Sequence, residues 1–268
     1  MMLIDVFDVE HGACSVITAP NGRQLMVDCG HHAKRPWRPS VAFRGQAIEE
    51  LVVSNFDEDH VSDLPGLMSN TTIGYITCNT SVSAAALAGL KREHGAGPGI
   101  QRLLRWMRAV EGNAGSGFPQ YGDMTRTVFW NNYPYRAEDE NNLSVVTFVE
   151  WSGFSMAFTG DLEVSGWRVL LENSQFRRAL SNVNVLMASH HGRESGCCED
   201  VFQWCSPQIV VMSDRDKTFN SQETTGWYAR RCEGIRYNGG NRSVFTTRND
   251  GDMRISVGPQ RWSIATSI

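Results

Sequence analysis

The chain has 268 residues, 41% of them hydrophobic and 20% charged, with a formal net charge of −4. That length is enough to bury a large core as one domain, expected over 1–268, and the composition is ordinary for a globular protein. The acidic balance argues against a broad nucleic-acid surface, which is usually basic because counterion release drives such binding. It leaves room for a small nuclease with a local basic rim. The longest apolar stretches are strand-sized, so no membrane span is expected. Met1-Met2-Leu3-Ile4-Asp5 carries an acid early and no basic region, unlike a signal peptide. Seven cysteines, an odd number without CxxC spacing, argue against a disulfide framework or a Cys-rich zinc site. Reduced thiols and a cytoplasmic location are the expectation.

In chain order, 3–9, 14–18 and 24–28 read as strands, with Pro20-Asn21-Gly22 as a hairpin turn. Residues 33–48 read as a loop entering a short helix, and Leu51-Val52-Val53-Ser54 as a short β-rich run. A helix over 62–69 and a strand over 73–77 follow. Residues 81–111 have helical spacing, with Leu87, Leu90, Leu103, Leu104, Trp106 and Val110 as the buried stripe. Gly95-Ala96-Gly97-Pro98-Gly99 breaks that stretch into two helices. Strands are expected over 125–130, 143–150, 154–159, 183–188 and 208–212. Helices are expected over 163–180 and near 221–232, and a closing hairpin over 243–257. Strands, then helices, then strands again fit two sheets with flanking helices better than a simple parallel sheet.

Four segments each put a carboxylate or His just past a strand end: Asp28-Cys29-Gly30, the run 55–60, Thr159-Gly160-Asp161 and Ser189-His190-His191-Gly192. Loops at strand ends aim side chains into a common cleft. Carboxylates and imidazoles gathered there would repel or lose hydration unless a cation compensated them, so metal binding is the economical explanation. In the run Asn55-Phe56-Asp57-Glu58-Asp59-His60, a tight loop could turn Asp57 to one ion and Asp59 with His60 to a second, about 3.5–4 Å away. The alternative for Asp57, Glu58 and Asp59 is a solvated acidic loop capping the helix that follows.

The order of these motifs resembles the metallo-β-lactamase superfamily. It is most similar to the hydrolase domain of the competence protein ComEC and its stand-alone relatives. Phe7-Asp8-Val9-Glu10-His11-Gly12 looks like that group's Leu-Asp-Val-Gly-Gln-Gly, and Met26-Val27-Asp28-Cys29-Gly30 like its Ile-Asp-x-Gly. Ser54 to His60 is similar to its Ser-His-x-Asp-x-Asp-His. Asn142-Leu143-Ser144-Val145-Val146 resembles its Asn-x-Ser-Leu-Val, Thr159-Gly160-Asp161 its Thr-Gly-Asp, and His190-His191-Gly192 its His-His-Gly. The resemblance implies a four-layer αββα sandwich, an α/β (α+β) fold, holding one or two divalent ions: zinc, manganese or magnesium. Asp57 would face the first metal, with Asn55 beside it, and Asp59 with His60 the second. Asp161 would bridge both, and His191 or His190 would complete the second. Asp28, His31 and Asn142 would support these ligands from behind. Asp59, Asp161, His190 and Arg193 would serve a metal-activated water attacking an ester or phosphodiester.

The pattern departs from the family at three places. Asn55 stands where the first His is expected, Asn142 occupies a region that supplies another His in many members, and no His lies near Phe219-Asn220-Ser221. An oxygen-rich first site follows, favouring manganese or magnesium, or one metal at the second site only. His31 and His32 could reach the cleft mouth or form a solvated pair. His11 reads as structural and His94 as surface. Arg193 could meet a phosphate or simply be solvated. Arg102, Arg105 and Arg108 fit a solvated helix face better than a nucleic-acid track, and Cys29, Cys197 and Cys198 fall on no ligand position. Three functions are open: a phosphodiesterase or nuclease, a small-molecule hydrolase of a lactone, thioester or cyclic nucleotide, and a silent binding module. Without a membrane segment, the chain would work alone or with a protein partner in a multi-component system.

Overall fold

The computed structural model describes every residue except 32–35, 93–94, 113–116, 135–139 and 216–222. The expectations for His32, for His94 and for the 219–221 stretch therefore lie outside the described residues. Strand β1 (Met2–Val6) alternates buried and half-buried side chains, as its Met-Leu-Ile-Asp-Val order demands. It pairs antiparallel with β2 (Ser15–Thr18), which returns through Asn21 and Gly22 to β3 (Gln24–Val27). Strands β4 (Ala47–Val52) and β5 (Thr72–Thr77) add in parallel beyond β3. On the other side of β1 lie β14 (Met253–Val257) and β15 (Trp262–Thr266), completing a seven-stranded sheet ordered β15-β14-β1-β2-β3-β4-β5.

The second sheet has six strands. They are β6 (Thr125–Phe129), β7 (Val146–Trp151), β8 (Phe154–Phe158), β9 (Val185–Met187), β10 (Ile209–Met212) and β13 (Val244–Thr246), ordered β13-β10-β9-β8-β7-β6. A small ribbon, β11 (Ile235–Tyr237) with β12 (Gly240–Arg242), stands apart.

Three apolar clusters define four layers. One, with Ile4, Ile17, Val27, Val149, Met156, Val185 and Phe245, fills the space between the sheets. A second joins the outer face of the first sheet to α1 (Pro39–Ala42), α2 (Glu58–Val61), α3 (Leu64–Asn70), α4 (Ala84–Leu90) and α5 (Pro98–Val110). The third joins Val146, Phe148 and Val210 to α6 (Val164–Leu171), α7 (Ser174–Leu180) and α8 (Thr225–Ala229) on the outside of the second sheet. Full burial of each large side chain contributes roughly 1.5–3 kcal/mol, so every interlayer seam is a substantial stabilising element.

One polar tie also crosses the sandwich. Glu50 of β4 is fully buried and accepts from Arg126 Nε of β6 at 2.9 Å and from the Tyr121 hydroxyl at 2.9 Å, with Thr77 as a further donor. A buried carboxylate is tolerated only when its oxygens are this fully bonded.

Three expectations are corrected. The helix read over 163–180 is two helices, because the Asn173 side chain accepts from Gln175 N and starts a new one. The helix read over 62–69 is preceded by the separate α2 within the acidic run. The hairpin read over 243–257 does not form: β13 and β14 belong to different sheets, joined by α9 (Thr247–Asp250). Thr246 caps α9, while Asp250 accepts from Thr246 N, so the polar stretch crosses between the sheets instead of turning back. The true closing hairpin is β14–β15.

Strands β1, β3, β4, β8, β9 and β10 all finish at one end of the sandwich, and the loops leaving them meet there. A cleft of about 520 Å³ lies at the opposite end, near Ser152, Gln208 and Trp262, far from these loops.

Candidate metal centre

Three loops from the first sheet, after β1, β3 and β4, and three from the second, after β8, β9 and β10, build the centre. Asp28 follows β3 with φ of +61°, and its carboxylate is buried. It accepts from Ser54 N at 2.7 Å, from Ser54 Oγ at 2.5 Å and from His60 Nδ1 at 2.8 Å. The last bond places the proton of a neutral His60 on Nδ1 and turns Nε2 toward Asp161 Oδ1, 3.2 Å away. Gly30 and Gly12 let neighbouring loops press on the Asp59 carbonyl; a Cβ on Gly12 would lie 2.7 Å from that oxygen, and one on Gly30 closer still. Close approach, rather than a special φ, is why Gly30 is glycine.

From the second sheet, Gly160 and Asp161 follow β8, and Asp161 N donates to Ser144 Oγ at 3.1 Å. After β9 the backbone takes positive φ at three successive residues, His190 (+50°), His191 (+54°) and Gly192 (+73°). Each non-glycine residue so placed costs about 1–3 kcal/mol, and such strain concentrates at functional sites. The turn points His191 inward: Nδ1 donates to Ser213 O at 2.8 Å, and Nε2 lies 3.3 Å from Asp59 Oδ2 and 3.5 Å from Asp161 Oδ1.

Two groups of ligand-type atoms result, His60–Asp161–His191 and His11–Asp59–His191, sharing one imidazole. Among the described residues, both His60 Nε2 and His191 Nε2 are buried without a hydrogen-bond partner. Orphaned imidazole nitrogens converging on carboxylates, their other nitrogens fixed by an oxygen, fit a metal ion; neutral imidazole and carboxylate together suit zinc, manganese or iron. The adjoining cavity, lined by Asp28, Ser54, His60, Asp161, His191 and Ser213, measures about 30 Å³. It admits an ion or a water but no organic substrate, which must approach from the mouth.

The electrostatics agree with this crowding. Burial works against charge on His191, but Asp161 and Asp59 outweigh it and raise its pKa to about 10. Burial likewise opposes charge on His60, and Asp161 and Asp28 nonetheless raise it well above the usual imidazole range. Burial favours the neutral form of Asp161, yet His60 and His191 hold it well below the usual carboxylate range. Asp59, against the same burial effect, is lowered by His60 and His191. His11 is lowered to about 4 by burial and by His191, so it is neutral at pH 7.

The mouth carries His11, Asp59, His190 and Arg193. Arg193 donates from Nη1 to His190 Nε2 at 3.3 Å and from Nη2 to His11 Nε2 at 3.2 Å. Its guanidinium thus meets two imidazole nitrogens, and among the described residues no carboxylate pairs with it. His190 bonds Ser195 Oγ through Nδ1 at 2.9 Å, lies 3.2 Å from Glu163 Oε1, and keeps Nε2 3.9 Å from Asp161 Oδ2.

Several sequence expectations need revision. Asn55 does not face the cluster: its Oδ1 accepts from Phe56 N at 2.6 Å and its Nδ2 donates to Asn141 Oδ1 at 3.1 Å, which uses both ends of the amide in shaping the loop. Asp57 is also turned away, to Lys91 Nζ at 2.5 Å. Glu58 accepts from Gly99 N at 2.7 Å and Ile100 N at 3.0 Å, capping α5 and not the helix that follows it in sequence. Three consecutive acids therefore have three different partners, and only Asp59 reaches the cluster. His31 bonds Ser62 Oγ through Nδ1 at 2.8 Å, outside the cluster. Asn142 accepts from Glu163 N and Gly166 N, fixing the start of α6 just after Asp161. His11, read as structural, is the residue sequence reasoning passed over: Nε2 lies 3.5 Å from Asp59 Oδ2 and its ring 4.6 Å from that of His191. The available signal was its place just past β1, the same strand-end position as the other motifs.

No family model matches the chain. Over 233 residues it is 23% identical to ComE operon protein 3 of Bacillus subtilis, covering 78% of this chain and 28% of that protein. It is 20% identical over 228 residues to Recombination protein 2 of Haemophilus influenzae, with 78% and 24% covered. The chain spans about a quarter of the length of these relatives. Among solved structures, CmlA, a diiron β-hydroxylase from Streptomyces venezuelae, superposes with a TM-score of 0.51 at 13% identity, over 90% of this chain and 52% of that one.

Proposed function

Taking as premise that the chain has the metallo-β-lactamase fold, we propose that it is a metal-dependent phosphodiesterase acting on DNA or another phosphodiester. The observation that carries this reading is the pair of buried nitrogens, His60 Nε2 and His191 Nε2, which have no hydrogen-bond partner among the described residues and face Asp161 beneath a mouth guarded by Arg193. His60, Asp161 and His191 would hold the ion, with Asp59 at its exposed side. When bound, the metal supplies Lewis acidity and activates a water for attack on phosphorus.

The chain's own residues do the rest. Asp28 and the Ser213 carbonyl keep the protons of His60 and His191 on Nδ1, leaving each Nε2 free to ligate. Asp59 Oδ2, on the open side, accepts a hydrogen bond from the attacking water and orients it. Arg193, bonded among the described residues to the imidazoles of His190 and His11, can turn its fork to the phosphoryl oxygens, where bidentate geometry is most effective. His190, braced by Ser195 and Glu163, borders the same approach. The likeness to ComE operon protein 3 and to Recombination protein 2, the latter named for recombination, supports a nucleic-acid substrate; the −4 charge supports contact with a short stretch of strand. Cleavage of single-stranded DNA or bis-p-nitrophenyl phosphate with added manganese or zinc tests the proposal. Asp59→Ala and Asp161→Ala should abolish turnover, and Arg193→Ala should raise KM. Turnover surviving both aspartate substitutions would sink it; activity confined to lactones or thioesters would move the chain to small-molecule hydrolysis.

A further inference from the structure

The loop that should supply a first ion with ligands has committed them elsewhere. Asn55, by both ends of its amide, closes the loop on Phe56 and Asn141. Asp57 pairs with Lys91, whose Nζ also lies 2.9 Å from Glu140 Oε2. Lys91 is 6% exposed and sits at the C-terminal end of α4, so its ammonium is fixed between two carboxylates, not waving in solvent. A cation between two acids beside an oxygen-donor loop is the electrostatic equivalent of a bound ion, and a hard divalent ion would have to displace it.

The geometry points to a mononuclear centre: the chain holds one divalent ion, on His60, Asp161 and His191, while Asp57, the ligand expected for a second, is held by the Lys91 ammonium. His191 offers a single inward nitrogen, so the two overlapping ligand groups share that donor and cannot be filled independently. The inference rests on the metal-dependent reading of the site, but it is tested by counting ions and needs no turnover. Its consequence is that Lys91 and Glu140, which no motif marks, set the metal stoichiometry.

The test is titration of the metal-stripped 268-residue chain with zinc and with manganese, read by calorimetry and by elemental analysis after desalting. One ion per chain is expected for the wild type. Asp57→Asn should leave stoichiometry at one and change Kd by no more than about threefold, whereas Asp161→Asn, which removes a proposed ligand, should weaken binding by at least the roughly tenfold that loss of a mere supporting partner costs. Lys91→Met, which removes the charge and keeps the stem, should admit a second, weaker ion on Asp57 and Glu140. Two ions on the wild type, or an Asp57→Asn effect as large as that of Asp161→Asn, would overturn the inference and leave the hydrolase reading standing. No ion on the wild type would overturn both. Should Lys91→Met fail to fold, the Asp57→Asn and Asp161→Asn comparison decides alone.

Discussion

Replacing Asp28 with Asn tests whether a group that touches no substrate governs metal affinity. Asparagine has the same shape and tolerates the +61° φ at this position, so the backbone is not disturbed. One amide oxygen can keep the bond from Ser54 N. The amide nitrogen then occupies the place of Oδ2, which now accepts from both Ser54 Oγ and His60 Nδ1. Serine can rotate its hydroxyl to accept; His60 can meet an N–H only with a bare Nδ1. That moves its proton to Nε2, the nitrogen aimed at Asp161, and a protonated nitrogen cannot ligate. Loss of such a supporting bond weakens metal binding about tenfold to a hundredfold, or about 1.4–2.7 kcal/mol, and here the upper part of that range is expected. Competition against a chromophoric zinc chelator measures it, with circular dichroism confirming the fold. Zinc affinity within threefold of wild type would refute the tautomer argument.

Stability of the metal-free protein should fall between pH 7 and 10. His191 is raised from 6.5 to about 10 by Asp161 and Asp59 against its burial, so its stabilising charge is fully present below about pH 6.5 and lost as pH rises through 10. Metal affinity should rise over the same window, because the ion competes with that proton; thermal unfolding and metal titration across the range would show opposite slopes. Glu50→Gln leaves the Arg126 guanidinium, 18% exposed, without its counter-charge between the sheets and should cost about 3–5 kcal/mol in urea unfolding. Gly30→Ala places a methyl into the Asp59 carbonyl and should lower both Tm and metal affinity, as the loop must shift.

Much of this architecture is legible in the sequence because period and punctuation agree. Gly95 to Gly99 does break the helical stretch, and Asn21-Gly22 does turn β2 into β3. Where reading failed, the cause was long-range. Nothing near Asp57 in sequence announces Lys91, which is 34 positions away, and nothing near Glu58 announces the amides of Gly99 and Ile100. The acidic run reads as one chemical unit, yet the fold divides it among α4, α5 and the metal cluster. Likewise 243–257 alternates as a hairpin should, and only the need to close two different sheets separates its halves. His11 reads as structural from its turn beside Gly12, whereas its position past β1 carries the information that it lies 3.5 Å from Asp59.

The centre also has a mechanical meaning. Among the described residues every cysteine is a free thiol, so no covalent bridge ties the two sheets together. An ion held by His60 from the first sheet and Asp161 from the second would close a loop of roughly 100 residues, comparable in chain-entropy terms to a disulfide contributing about 4–5 kcal/mol. The atoms proposed to hold the metal would then also act as a reversible cross-link, making the folded lifetime of this chain depend on the supply of that metal.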